Sequence, residues 1–170
     1  MLAVLITALI TFFIGSLFGY VVHKSLHSSW TGDFHQAHMT HHLKLYPPED
    51  YVSDKYRNAG KDNTVWIFAV AAIPFFVAPI VLGVLHILPL SLVITSEIVM
   101  SLMSFLHSYL HDSFHIRNHW LYHAPLIGKL FARWVHIHWL HHVDMQTNFG
   151  IFLFHWDHVF RTYWDDQNDR

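Results

Sequence analysis

Histidine is the residue type in this chain whose number and spacing could do chemistry. There are 18 histidines in 170 residues, and two groups of them share one order, an HxxxH motif followed by an HxxHH motif. Residues four apart on a helix share a face, so each motif aims several imidazoles at one point. The repetition predicts two metal ions held by histidine. The predicted ligands are His23, His27, His38, His41 and His42 in the first group, and His111, His115, His138, His141 and His142 in the second.

The second HxxxH motif belongs to a longer ladder, because His107, His111, His115, His119 and His123 follow one another at intervals of four. On one continuous helix a four-residue step drifts about 40° per repeat, so only two or three consecutive members can face the site. We predict that His115 and His119 are ligands, with His111 next in order, which makes His119 the eleventh candidate. His35 and His136 stand outside the spacing and are expected behind the ligands or at the surface.

The donor set is nitrogen-rich, and the chain has no cysteine to supply thiolate ligands. Imidazole suits iron, zinc, copper or nickel, so residue type alone does not name the metal. Asp112 and Asp144 are candidates to accept hydrogen bonds from ligating imidazoles and fix their tautomers. Glu97 is the only acid inside an apolar run, and we expect it to have a partner, a proton or a role near a substrate channel. The formal net charge of −2 gives no electrostatic case for nucleic acid.

The elements that must position these histidines are long apolar runs, as expected for a chain that is 53% hydrophobic and 13% charged. Residues 2–22 carry no charge and would form a helix of roughly 31 Å, enough to cross a bilayer core. Two further runs, 65–88 and 89–110, predict a helical hairpin. The expected fold is one all-α membrane domain over residues 1–170, with about three transmembrane helices and a histidine-rich helical cap formed by 23–64 and 111–170.

Charge bias predicts how this domain is oriented in a membrane. All ten Lys and Arg residues lie in segments 24–61 and 117–170. The positive-inside rule puts both segments in the cytoplasm, so the amino terminus is expected outside and the carboxyl terminus inside. Both histidine groups then emerge at the same cytoplasmic surface. Pro47 and Pro48 should end the helix that carries His38 to His42, and Pro125 should begin a helix that runs to about His142 and lies flat on the membrane.

Nearly the whole chain resembles the fatty acid hydroxylase/sterol desaturase superfamily of integral-membrane di-iron oxygenases, which includes related carotenoid hydroxylases. Residues 148–150 (NFG) look like the family's Asn-aromatic-Gly element, and residues 156–163 (WDHVFRTY) resemble its terminal Trp-Asp-x-x-Phe-Gly-Thr-Tyr signature. Asn148 and Asp157 lie in these elements and are taken as candidates to support the ligands. Arg161 stands where the signature usually has Gly. For the ladder, the resemblance leaves open His115 with His119, His111 with His115, or His119 with His123.

The resemblance implies two iron ions, with zinc able to replace them on purification. It also implies that O₂ and electrons from a separate redox protein are used to oxidise a C–H bond of a lipid, with a fatty-acyl chain as the first choice. A carotenoid hydroxylase and a lipid or sterol desaturase are alternatives in the same class. From a different class, the chain could be a membrane metal-binding protein or a zinc hydrolase, which would need neither O₂ nor reductant.

Overall fold

The computed structural model describes residues 1–57 and 64–167, with side chains described from residue 70 onward in the second range. Within these ranges every regular element is helical, as the sequence predicts. The six α-helices are α1 (Leu2–Leu26), α2 (Asp33–Thr40), α3 (Thr64–Val84), α4 (Leu90–Phe114), α5 (Gly128–Val143) and α6 (His155–Phe160). Short 3₁₀ turns and one π-helical turn connect them.

Two of these helices, α1 and α4, are long and apolar enough to cross a membrane. Each has 25 residues and is therefore about 37 Å long. They cover the predicted crossings 2–22 and 89–110. The predicted crossing 65–88 lies partly outside the described side chains; its described apolar part is Val70–Val84, within α3, which stays helical through Pro74 and Pro79.

Helices α1 and α4 pack side by side in parallel. The Thr11 and Ser96 hydroxyl oxygens lie 3.4 Å apart in the first half of each helix, and one and two turns further along α1 Gly15 and Gly19 face Met100 and His107. Small residues let two membrane helices approach closely, which long apolar side chains at these positions would prevent. The parallel packing brings the carboxyl-terminal ends of both helices, with their histidines, to the same level.

Above these ends lies a small helical cap with its own core. Tyr51, Leu110, Phe114, Leu121, Phe131, Val135 and Ile151 are buried against one another. Helix α5 begins at Gly128, three residues later than expected from Pro125, because residues 125–127 form a turn. The apolar side chains of α5 differ in burial: Phe131 and Ile137 are buried, whereas Leu130 is half exposed.

The histidine ladder does not continue along one helix. Helix α4 ends at Phe114 with His115 as its C-cap, and the chain turns at Asn118, which has a left-handed φ of 54°. The assumption of a continuous helix from His107 to His123 is therefore wrong, because a left-handed residue cannot extend an α-helix. His119 instead caps the 3₁₀ turn Trp120–His123.

Candidate metal centre

Two groups of histidines meet where α1, α2, α4 and α5 converge. In each group the candidate ligand atoms all lie within 4.8 Å of one another. Group one is His23, His27, His38, His42 and His141; group two is His41, His115, His138 and His142. The groups are adjacent, because the rings of His42 and His142 have centroids only 4.1 Å apart. The fold thus brings together nine of the eleven predicted ligands.

A tenth predicted ligand, His111, borders group two. Its ring centroid lies 4.8 Å from that of His41, 4.9 Å from His138 and 5.3 Å from His115. Its Nδ1 lies 3.4 Å from the carboxylate of Asp112, the partner that the sequence suggested. His111 is buried beside the group.

The two HxxHH motifs each divide their histidines between the groups. His38 and His42 enter group one while His41 enters group two; on α5, His138 and His142 enter group two while His141 enters group one. With His111 added to group two, each group consists of four histidines from one sequence repeat and one from the other. Each HxxHH motif therefore supplies histidines to both groups.

Helical spacing accounts for both divisions, because residues four apart share a face and the residue between them points to its side; the first motif also spans a change of helix type. Helix α2 ends at Thr40 and continues as a π-helical turn, His41–Leu45, before Pro47. A π turn is wider than an α turn and shifts the directions of the side chains it carries; such turns are frequent at functional sites. The predicted stop before Pro47 is confirmed.

Backbone carbonyls orient four of the imidazoles. The Nδ1 atoms of His23, His115, His141 and His142 lie 2.7, 3.0, 2.6 and 2.8 Å from the carbonyl oxygens of Phe149, Tyr51, Thr147 and Tyr46 respectively. A carbonyl oxygen can only accept, so each Nδ1 must carry the proton and donate it. Each Nε2 is then left with its lone pair, buried and without a hydrogen-bond partner. This is how metal-ligating histidines are usually held.

The remaining group members also fit a metal. Both ring nitrogens of His41 and His138 are buried without a hydrogen-bond partner. The Nε2 of His38 lies 2.9 Å from that of His27 and 3.1 Å from that of His42. Two nitrogens bound at right angles to one ion at about 2.1 Å are about 3 Å apart, so these separations suit shared coordination. Unpartnered buried nitrogens are costly without an ion.

Burial keeps these imidazoles neutral. Loss of hydration is the main cause that lowers the pKa of His27 to about 4 and that of His142 to about 3, and neighbouring imidazoles contribute to both shifts. The pKa values of His38, His41, His42, His115, His138 and His141 also lie well below the ordinary value, with burial as the main cause. Neutral imidazole is the form that binds metal.

Aromatic side chains enclose the groups. The ring of Tyr46 stacks on His115 at 4.0 Å, and Phe149 lies against His27 and His141. Both aromatic residues are almost fully buried. They separate the imidazoles from water.

The loop after α5 is tied to group one through Asp157. The Asp157 carboxylate accepts hydrogen bonds from the backbone N–H groups of Phe149 and Gly150, at 2.7 and 2.8 Å, and from the Thr162 hydroxyl at 2.8 Å. The Phe149 carbonyl in turn accepts a hydrogen bond from His23 Nδ1. Asp157 is fully buried and contacts the backbone of the segment that orients His23, a predicted ligand, rather than an imidazole.

Asn148 completes this loop. Its side-chain amide donates to the carbonyls of Ile137 and Trp164 and its oxygen accepts from the Trp164 N–H. Its φ of 52° is left-handed, a conformation that Asn tolerates better than most residues. Arg161, with φ 59°, ends α6 in the same conformation, which gives a physical reason why glycine would suit that position.

Other candidates lie away from the groups. His119 accepts from the Leu121 N–H and lies near the Tyr109 hydroxyl, outside both groups. Asp144 is exposed and accepts from the Gln146 N–H, without contact to a histidine. Glu97 is on α4, 14 residues before His111, which places it about 21 Å along the helix from the centre; one of its carboxyl oxygens is buried without a hydrogen-bond partner.

A third set, His136 with Asp165 and Asp166, was not anticipated as a group. The His136 Nε2 lies 2.7 Å from Asp166, and the Arg133 guanidinium contacts Asp165. Because the cation already compensates one carboxylate, this set is explained as an ion-pair network. His35, as expected, supports the structure from outside group one through a 2.8 Å contact with the Leu26 carbonyl.

Replacing His115 and His119 separately tests which ladder member binds metal. His115→Ala is expected to lower the metal content of group two by about one ion per chain, because its Nε2 faces the group. His119→Ala should leave the content unchanged. Elemental analysis of the two purified variants would show this, and equal losses in both would contradict the division of the ladder.

Asp157→Asn tests the loop that orients His23. An amide can accept only one of the two backbone N–H groups and would present its own N–H to the other. We expect a loss of about 1–3 kcal/mol in unfolding free energy and about 10–100-fold weaker metal binding in group one. Metal titration and thermal unfolding measure both effects. Asp54→Asn is the control, since that side chain is 92% exposed; an equal effect there would remove the loop's assigned role.

Comparison of the chain with family models, with curated proteins and with solved structures found no match.

Proposed function

We propose that this protein is a membrane di-iron oxygenase, of the fatty acid hydroxylase/sterol desaturase kind that its motifs resemble, which oxidises a C–H bond of a lipid. One observation carries the proposal: two adjacent, buried groups built wholly of imidazole lie at the shared end of two helices long enough to cross a membrane. Lipid-derived substrates and a site protected from water are both available at such a position.

The side chains of the site have three tasks. The histidines remain neutral and present nitrogen lone pairs to two ions, and the backbone carbonyls of Tyr46, Tyr51, Thr147 and Phe149 hold four rings in one tautomer. The rings of Tyr46 and Phe149 exclude water. Because no carboxylate belongs to either of the two histidine groups, the ligand sets add no negative charge to the bound ions.

Two iron ions held by these groups would supply O₂ activation. The overall reaction balances as R–H + O₂ + 2e⁻ + 2H⁺ → R–OH + H₂O: one oxygen atom enters the C–H bond and the other leaves as water. A desaturase would instead remove two hydrogens from the lipid. We propose that the two electrons come from a separate one-electron redox protein.

The proposed arrangement in the membrane has three crossings, with α3 as the second. The amino terminus lies outside, and the metal centre and carboxyl terminus are cytoplasmic, in accord with the two basic segments on either side of the apolar runs. A cytoplasmic centre would be accessible to a soluble or membrane-bound electron donor.

Oxygen consumption separates this proposal from the other class. Purified protein loaded with iron, in lipid vesicles with a chemical reductant, is expected to consume O₂ faster than protein loaded with zinc, and His141→Ala should abolish the difference. A zinc hydrolase would act without O₂ or reductant, and a metal-binding protein would show no lipid product. The proposal would be contradicted if fully iron-loaded protein acted on lipid without O₂ and reductant, or if it gave no lipid product.

A further inference from the structure

A surface strap, residues 45–57, lies against group two. It begins at the last residue of the π-helical turn and contains two of the four backbone carbonyls that orient imidazoles of the two groups. The carbonyl of Tyr46 accepts from His142, and the carbonyl of Tyr51 accepts from His115. Both histidines belong to group two. The position of the strap therefore decides where two nitrogen lone pairs of group two point.

Tyr46 holds group two with its ring as well as with its backbone. The ring centroid lies 4.0 Å from that of His115, on which it stacks, and 5.2 Å from that of His41. Tyr46 is fully buried although it belongs to a surface strap. An ion that leaves group two on this side must pass the Tyr46 ring. The contacts that fix Tyr46 therefore also control this way out.

Arg57 closes the strap over Tyr46. Its backbone N–H donates to the Tyr46 hydroxyl, and its guanidinium lies 5.4 Å from the centre of the Tyr46 ring. One guanidinium nitrogen donates to the Leu45 carbonyl at 2.7 Å. Two guanidinium nitrogens lie 2.6 and 2.9 Å from the two carboxylate oxygens of Asp50, a forked pair that fixes geometry as well as charge. Arg57 therefore ties together the turn that carries the Tyr46 carbonyl.

The corresponding support of group one is built differently. There the loop after α5 is fixed by the carboxylate of Asp157, which is fully buried. In the strap, the side chains of Arg57 and Asp50 are 33% and 54% exposed. Dissolved salt screens an exposed ion pair much more than a buried contact. The support of group two is therefore the one that salt weakens.

We infer that Arg57 is a positioning residue of group two, and that its ion pair with Asp50 is a clasp that controls how fast group two exchanges its metal ion. With the clasp closed, Tyr46 holds His142 and covers His115. When the pair separates, the turn loses the contact that fixes Tyr46, and the bound ion can leave. Group one, supported through buried Asp157, does not depend on this clasp. The inference rests on the metal centre of the proposed function but not on its oxidation chemistry.

Metal release tests the inference without requiring turnover. The purified protein is loaded with zinc in detergent micelles, because imidazole ligands suit zinc, and release to a chromogenic chelator is followed at about 0.05 M and about 0.5 M NaCl. We expect two phases of one ion each. High salt should speed only one of them, by about two- to fivefold, since an exposed ion pair contributes little more than this. Equal acceleration of both phases, or of neither, would overturn the inference.

A matched pair of variants opens the clasp or spares it. Arg57→Gln should release one of the two ions about 10-fold faster, at a rate that high salt no longer changes. A general loosening of the fold would not remove the salt dependence. Arg117→Gln is the control, because Arg117 belongs to the exposed pair with Asp54, at 3.6 Å, and it should keep the wild-type kinetics. Wild-type release from Arg57→Gln, or equal acceleration in Arg117→Gln, would contradict the assignment.

Asp50→Asn breaks the same pair from its more exposed partner. This variant should also release one ion faster and without salt dependence. The double variant with Arg57→Gln should be no faster than Arg57→Gln alone, because both changes open one clasp. If the two accelerations multiplied, the residues would act separately and the clasp would be rejected.

Variants that lack one group identify the ion that the clasp controls. His141→Ala, which keeps group two, should release its remaining ion with the salt dependence of the wild type. His41→Ala, which keeps group one, should release its ion at a rate that salt does not change. The reverse result would place the clasp on group one and overturn the inference.

Oxygen consumption by the iron-loaded protein is measured separately, so that the two proposals can fail independently. Zinc release that depends on the clasp, without O₂ consumption, would reject the oxygenase and retain the clasp. Oxygen consumption with zinc release that ignores both salt and Arg57→Gln would reject the clasp alone.

Discussion

Replacing His141 by alanine is expected to remove one metal ion of two from the purified protein and to lower lipid oxidation by at least about 100-fold. His141 lies on α5, whose other candidate ligands, His138 and His142, belong to group two, yet its Nε2 faces group one. Losing a ligand costs more than losing a supporting contact, which already weakens a metal site by about 10–100-fold. Elemental analysis and product formation measure the two effects.

The companion variant tests the exchange between the motifs. His41→Ala should also remove one ion, but from group two, so that the double variant binds none. His136→Ala is the control on α5, because His136 contacts Asp166 outside both groups. If the double variant lost no more metal than either single variant, the two residues would share one ion and the assignment of His41 and His141 to different groups would be wrong.

Acidification from pH 7 to pH 4 is expected to release both ions and to destabilise the fold together. Burial holds the pKa of His27 at about 4 and that of His142 at about 3, whereas in the unfolded chain histidine has a pKa of about 6.5. Between these values the unfolded chain binds more protons than the folded one. The contribution of the neutral, buried imidazoles to the free energy of unfolding is therefore complete above about pH 6.5. It is lost as the pH falls toward 4 and below.

Several imidazoles that stay neutral in the folded chain would bind protons in this range once it unfolds, so the transition should be steep. Metal release would add to it, because ligation requires the neutral ring. Thermal unfolding and metal content measured at intervals of one pH unit would follow both processes. His119→Ala should leave the midpoint unchanged, since that residue lies outside the groups. A metal content that stayed constant down to pH 4 would contradict ligation by histidine alone.

The sequence predicts most of this centre because helical spacing is local information. His23 with His27 and His38 with His42 are four apart on helical turns and enter the same group, as the spacing requires. The apolar runs likewise predict α1 and α4, and Pro47 predicts the end of the turn that carries His42.

The ladder shows where local spacing fails. An interval of four has meaning only while the helix continues, and α4 stops at Phe114 before a left-handed Asn118. Asn118 is itself a residue type that favours turns. The regular histidine spacing on both sides of it hides that signal. His115 therefore lies in group two, whereas His119 contacts Leu121.

The supports of the site were harder to predict than its ligands. Backbone carbonyls of Tyr46 and Thr147 fix two histidines, and any residue type can provide a carbonyl, so no motif marks them. Asp144 illustrates the opposite case, in which a suitable residue type near a histidine plays no part in the site. It lies just after the end of α5, and its carboxylate accepts a hydrogen bond from the Gln146 N–H in the following turn.

Lipid mass spectrometry with ¹⁸O₂ tests the central claim most directly. Cells that express the wild-type chain are compared with cells that express His141→Ala, with an electron donor confirmed present. The oxygenase account predicts an acyl lipid that is heavier by one labelled oxygen and occurs only with the wild-type chain. Loss of two hydrogens without label would change the assignment to a desaturase, and an oxidised carotenoid would change the substrate. No wild-type-specific lipid change would contradict the account.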